Sequence, residues 1–207
     1  MLRVGLTGGI ACGKSAVAEM LVQRGAHLLS ADTLAHQLYA PGSAVYDELV
    51  RRFGPAIVGG DGRILRKQLA NAAFPDRVRE LNAVVHPAVI AAQNRWMQEV
   101  GRADPRGVAV VEAALIFEAG ADTDFDKLVV VTCAAEQKAE RFAHRTGLPP
   151  EEARAEVDRR SAVQLSDQEK ARRADFVIDN SGSLDDLQRQ VEIVWEQLQA
   201  LAAPPKS

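Results

Sequence analysis

Eight residues near the start of the chain constrain its fold more than any others: Gly8-Gly9-Ile10-Ala11-Cys12-Gly13-Lys14-Ser15, which satisfy G-x-x-x-x-G-K-[ST]. The pattern carries meaning only between a strand and a helix, and both are expected here. Leu2 to Leu6 reads as a buried first strand. Lys14 to Arg24 has helical spacing through Val17, Leu21 and Val22, with Gly25 as its stop. In such a turn the glycines let the backbone aim successive N–H groups inward, and the new helix adds its own unpaired N–H groups and positive dipole end. The loop therefore predicts a nucleoside triphosphate bound by Gly8, Gly9, Ala11, Cys12, Gly13, Lys14, Ser15 and Ala16. Lys14 can reach the β- and γ-phosphates, and the Ser15 hydroxyl can hold Mg²⁺. Cys12 reads as a small loop residue, with redox sensitivity as the other option.

The remainder alternates strand and helix signals. His27 to Ser30 is a short second strand, with a helix from Thr33 to Tyr39 beyond it. Pro41-Gly42 breaks the chain, and a helix follows through Tyr46, Leu49, Val50 and Phe53. Gly59-Gly60-Asp61-Gly62 is a turn. Leu65 to Val100 is helical, punctuated at Phe74-Pro75 and His86-Pro87. Val108 to Val111 and Leu128 to Thr132 are buried strands. Helices from Glu136 to Arg145 and from Pro150 to Val163 precede a last strand, Phe176 to Ile178. A final amphipathic helix spans Leu184 to Leu201, and the tail 202–207 is expected to fray. Alternating strands and helices imply a parallel sheet covered on both faces.

The 207 residues suit one α/β domain, and a net charge of -3 gives no reason to expect a nucleic-acid partner. No apolar run reaches a membrane span, no signal-peptide core is visible, and two distant cysteines do not make a disulfide framework. A cytoplasmic protein without a membrane partner is expected, as a monomer or weak homo-oligomer. The base-reading Asn-Lys-x-Asp of a GTPase is not found.

Two features bear on chemistry beyond nucleotide binding. Asp32 follows the second strand, on the rim that parallel strands share with the loop. A carboxylate there can orient an attacking hydroxyl and accept its proton, but Asp also caps helices well, and position alone does not choose. Arg141 and Arg145 share one helix face at i and i+4. They suit a lid closing over phosphates, or a solvated face paired with Glu136 or Glu140.

Further motifs resemble the dephospho-CoA kinases. Gly5-Leu6-Thr7-Gly8-Gly9-Ile10 resembles the start of that family, as do Ala31-Asp32 before Leu34-Ala35-His36, and Leu81-Asn82 with His86-Pro87. Leu115-Ile116-Phe117-Glu118, Gln137 with Arg141 and Arg145, Gln164 with Lys170, and Ala174-Asp175 with Val177-Ile178-Asp179-Asn180 follow in order. The likeness runs from Val4 to about Val191. It implies a P-loop kinase fold, with a five-stranded parallel sheet, a helical acceptor-binding insertion and a helical lid. In a single domain 1–207, the core would be 1–32, 105–134 and 174–201, the acceptor region about 33–100 and the lid about 136–170.

The resemblance also implies phosphorylation of the ribose 3′-hydroxyl of dephospho-CoA by MgATP; the alternatives are a P-loop kinase acting on a nucleoside, nucleotide or sugar, or a nucleotide-binding switch that transfers no phosphate. Asp32 would be the base, with Lys14 and Arg141 catalytic and Arg145 on ATP. Thr7, Asp32 and His86 would meet the acceptor. His86 can also be a helix-boundary residue. Arg66, Lys67 and Arg77 are candidates for the acceptor's diphosphate or simply solvated cations, and Asp179-Asn180 borders the adenine pocket or turns into the last helix. The chain departs from the family at Ala11-Cys12 (usually Gly-Ser), at Ala16 (usually Thr) and at Glu112-Ala113-Ala114 (often Asp-x-Pro), which leaves the role of Glu112 open.

Overall fold

A computed structural model describes residues 1–203; the end of the tail expected to fray, 204–207, lies outside them. The chain divides into two compact units, one of residues 1–29 with 100–207 and one of residues 30–99.

The first unit is built on β1 (Leu2–Gly8), β3 (Val108–Glu112), β4 (Lys127–Thr132) and β5 (Phe176–Asp179), with β2 (His27–Ser30) completing the order β2-β3-β1-β4-β5. β1 pairs in parallel with β3 (Leu6 opposite Glu112) and β4 (Thr7 opposite Val130), and β4 with β5. The central strands are wholly enclosed: Val4, Leu6, Val110, Val111, Val129, Val130 and Val131 expose nothing. Residues buried on both faces cannot alternate, which is why these strands read as unbroken apolar runs. α1 (Lys14–Gln23) and α9 (Leu184–Ala202) pack on one face through Val17, Leu21, Leu187, Val191, Trp195 and Leu198. Ile116, Phe117, Leu128 and Val130 form a core of their own.

α6 (Ala135–Thr146) and α7 (Pro150–Ser161) make a hairpin around Phe142, Ala153 and Val157. A short helix, α8 (Asp167–Arg173), then leads to β5. The sequence reading had no helix there; Ser166 caps it, its Oγ accepting from the Glu169 N–H at 3.1 Å.

The second unit holds α2 (Ala31–Leu38), α3 (Ala44–Phe53), α4 (Arg66–Ala73) and most of α5 (Val78–Ala103) around Val45, Leu49, Phe53, Ile57, Ile64 and Leu69. Two expectations are corrected. α2 begins at Ala31 and its cap is Ser30, whose Oγ accepts from Thr33 at 3.3 Å, so Asp32 sits in the first helical turn and is not the cap. Pro87 does not end a helix either, because α5 runs through it for 26 residues. Leu81, Val84, Val85 and Ala88 hold both sides of the proline against the core, and that packing outweighs the missing hydrogen bond. The Gly59–Gly62 turn is present, closed by a bond from the Gly62 N–H to the Gly59 carbonyl at 2.9 Å.

Candidate active site

The loop from Gly8 to Ser15 joins β1 to α1, and its conformation shows why glycine recurs. Gly13 has φ 88°, and a Cβ there would come within 2.3 Å of Asn180 Nδ2. A Cβ on Gly8 would meet the Val131 carbonyl oxygen at 2.1 Å. Ala11 takes a left-handed φ of 56° without being glycine, a conformation that costs an L-residue about 1 kcal/mol. α1 starts with no side-chain cap and no acidic residue in its first turn, unlike α2, α3, α8 and α9, which serines cap. Its first N–H groups and dipole are therefore directed at whatever occupies the loop.

Lys14 folds back so that Nζ donates to the Gly8 and Gly9 carbonyls at 3.1 and 3.0 Å. Ser15 is exposed, and its hydroxyl donates to Glu112 Oε1 at 2.9 Å. Glu112, whose role the sequence left open, is thus a partner of the Ser15 hydroxyl. Opposite Leu6 in the sheet, it reaches the serine at the head of α1 with its longer arm. A hydroxyl and a carboxylate side by side are two hard oxygen donors, the chemistry Mg²⁺ prefers.

The lid candidates meet the loop through Ile10 and Asn180, whose part in joining the two the sequence did not show. Ile10 leaves the loop to bury itself among Phe142, Ala153 and Val157, docking the α6–α7 hairpin. Arg141 Nη2 donates to the Asn180 carbonyl at 2.9 Å, and Asn180 Nδ2 donates to the Cys12 carbonyl at 2.9 Å. Asn180 is thus the link between Arg141 and the loop. Arg141 Nη1 is buried and finds no hydrogen-bond partner among the described residues. Arg145 is exposed and lies over the Phe142 ring at 5.2 Å. Lys138 pairs with Asp167 at 2.7 Å, and Asp167 Oδ2 lies 3.6 Å from Cys12 Sγ. Nothing in the local sequence of 138 or 167 marks either residue.

Thr7, expected at the acceptor, is wholly buried, and its hydroxyl donates to the Ala114 carbonyl at 3.2 Å. The fully buried Lys170 reaches the same carbonyl at 3.4 Å and pairs with Glu118 at 2.9 Å. Burial works against the Glu118 carboxylate, but the Lys170 ammonium and the Leu165 N–H outweigh it and hold its pKa below the ordinary value. Thr7, Lys170 and Glu118 together fix the segment that follows Glu112.

Within the helical unit, Asp32 and His86 are both exposed. His36, Tyr39, Ala40, Pro41, Arg63, Ile64 and Arg66 line an open pocket of about 350 Å³. Burial, then the Arg66 charge, lowers the His36 pKa, while Asp32 opposes both. Burial raises Tyr39, with Arg66 opposing and Asp32 reinforcing. These four side chains therefore share one electrostatic neighbourhood. Arg77, a candidate for the acceptor's diphosphate, is already engaged: it stacks on Phe53 at 4.4 Å, pairs with Glu80 and donates to the Arg52 carbonyl.

The sheet order, the strand–loop–helix and its uncapped helix end define a P-loop kinase fold. Comparison with known proteins narrows this. The dephospho-CoA kinase family model matches residues 2–186. The dephospho-CoA kinase of Symbiobacterium thermophilum is 44% identical over 194 residues, 93% of this chain and 79% of that one. The dephospho-CoA kinase of Aquifex aeolicus is 38% identical over 200 residues, 96% of this chain and 98% of that one. The solved dephospho-CoA kinase from Campylobacter jejuni superposes with a TM-score of 0.70 at 26% identity, over 97% of this chain and 98% of that one. The chain belongs to the dephospho-CoA kinase family. Among the described residues, no helix is long and apolar enough to cross a membrane.

Proposed function

We propose that this protein transfers the γ-phosphoryl group of ATP to the ribose 3′-hydroxyl of dephospho-CoA, giving CoA and ADP in the last step of coenzyme A synthesis. The observation that carries the reading is a phosphate loop between β1 and α1 in a chain that matches this family over residues 2–186. The backbone N–H groups of the loop and Lys14 bind the phosphates, and binding there is mostly positioning and charge stabilisation. Ser15 and Glu112 would hold Mg²⁺, which neutralises charge on the phosphates when bound. Arg141, with one buried donor unpaired among the described residues, is available to the charge that grows on the transferring group. Arg145 would join it when the hairpin closes as a lid.

Asp32 accepts the proton of the attacking hydroxyl, and the loss of its capping duty to Ser30 leaves its carboxylate available for that. His86 is assigned to the acceptor. Arg63 and Arg66 supply positive charge for the acceptor's diphosphate, beside a His36 whose lowered pKa favours the neutral ring.

The test is ADP release with MgATP, with and without dephospho-CoA, beside a panel of nucleosides and sugars. Stimulation by dephospho-CoA alone is expected. Asp32→Asn should cut that turnover by at least a hundredfold while MgATP still binds. Stimulation by another acceptor in its place would overturn the substrate assignment, and near-normal turnover in Asp32→Asn would overturn the base.

A further inference from the structure

The two cysteines of the chain meet at the phosphate loop, one within it and one beside it. Cys12 is wholly buried, and its Sγ is 3.3 Å from the Sγ of Cys133, the residue immediately after β4. Cys133 is partly exposed. They are 121 positions apart, and β1 and β4 bring them together by pairing in parallel. We infer that this pair is a redox modification site: a peroxide converts Cys12 and Cys133 to a disulfide that weakens ATP binding by the phosphate loop.

The two thiols have different surroundings. The hydrogen bond with Cys12 lowers the Cys133 pKa, and Arg141 and Lys138 act in the same direction against burial and Asp167. The contact with Cys133, then burial and Asp167, push the Cys12 thiol up. Cys133 is thus the more acidic thiol and the one solvent reaches. Its thiolate attacks the peroxide O–O bond, giving a sulfenic acid and releasing the other oxygen as water once protonated. Cys12 sulfur then attacks the sulfenic sulfur. The S–S bond forms, the S–O bond breaks, and the departing hydroxide takes the Cys12 proton and leaves as water. Two thiols and one hydrogen peroxide give one disulfide and two waters, and a small thiol reductant reverses the change.

The effect on ATP follows from which side yields. A disulfide bond is about 2.05 Å long, so the sulfurs must close by roughly 1.2 Å. Backbone bonds flank Cys133: the Thr132 carbonyl accepts from Asn180 at 2.8 Å, and the Ala134 N–H donates to Ser181 Oγ at 2.9 Å. Cys12 accepts one side-chain bond at its carbonyl, from Asn180 Nδ2 at 2.9 Å, but its own N–H makes only a long 3.4 Å bond to the Gly9 carbonyl and it sits next to the strained Ala11. The loop moves, and its N–H groups lose their alignment on the phosphates. By reciprocity, bound ATP must disfavour the disulfide.

The experiment treats the full chain with hydrogen peroxide, with and without MgATP, and reads free thiols, intact mass and MgATP affinity by calorimetry. Both thiols should disappear with the loss of two hydrogens, ATP should slow that loss, and affinity should fall at least tenfold and recover with reductant. Cys133→Ser, or Cys133→Ala if the first folds poorly, should bind ATP normally and keep that affinity in peroxide. Retained thiols, unchanged ATP affinity in the disulfide form, no protection by ATP, or equal peroxide sensitivity without Cys133 would each overturn the inference. None of these readouts depends on which acceptor the enzyme uses.

Discussion

Lys170→Met tests how the segment after β3 is held. Lys170 exposes none of its side chain and Glu118 exposes 17% of its own. Removing one partner of a buried pair costs about 3–5 kcal/mol, because the other charge is left without compensation. Water reaches Glu118 and the Leu165 N–H remains bonded to it, which places the expected loss near the lower end, about 3 kcal/mol. The Ala114 carbonyl keeps Thr7 as a donor, and Gln164 Oε1 loses only a long 3.5 Å bond from Lys170. In a chain of this size the loss is a fall in Tm of about 6–12 °C. Adding Glu118→Gln removes the stranded charge while keeping an acceptor for Leu165, and should recover at least half of it. The pH dependence has a definite sign. The lowered Glu118 pKa makes the wild-type contribution full above its ordinary value of 4.5 and lost as pH falls through the lowered one. In Lys170→Met the stranded carboxylate takes up a proton as pH falls, so the deficit against wild type should narrow towards pH 4. Thermal unfolding of the three variants at neutral and acid pH reads all of this. A single-variant loss below about 1 kcal/mol, or a double variant no better than the single, would refute the reasoning.

Two further substitutions probe the loop itself. Ala11→Gly relieves the left-handed φ of 56° and loses a methyl packed on the Phe142 cluster, so stability measured by thermal unfolding should rise by up to about 1 kcal/mol; a clear loss would mean that the methyl contact outweighs the strain. Glu112→Gln keeps a partner for the Ser15 hydroxyl but removes the charge, so the Mg²⁺ concentration for half-maximal turnover should rise tenfold to a hundredfold. An unchanged Mg²⁺ requirement would leave Glu112 as a holder of the hydroxyl alone.

How much of this was legible in the sequence depended on whether the cause was local. The phosphate loop was readable because glycine, lysine and serine act there through their own backbone and side-chain chemistry over eight consecutive positions. The inner strands were readable because strands covered on both faces need apolar runs such as Val108 to Val111. Ser30 and Asp32 are both good caps two positions apart, and only the end of β2 decides between them. Pro87 looked like a boundary because residue chemistry argues for one; the residues holding α5 together at that point belong to the rest of a core. The site partners are the extreme case. Ser15 meets Glu112 across 97 positions, and Cys12 meets Asn180 across 168. In a parallel sheet each strand returns only after a crossover, so residues that meet at one rim are far apart in the chain. Leu6 opposite Glu112 is the register that turns an unexplained departure from the family pattern into a carboxylate beside Ser15, and a register shift of one residue would have pointed that side chain to the other face.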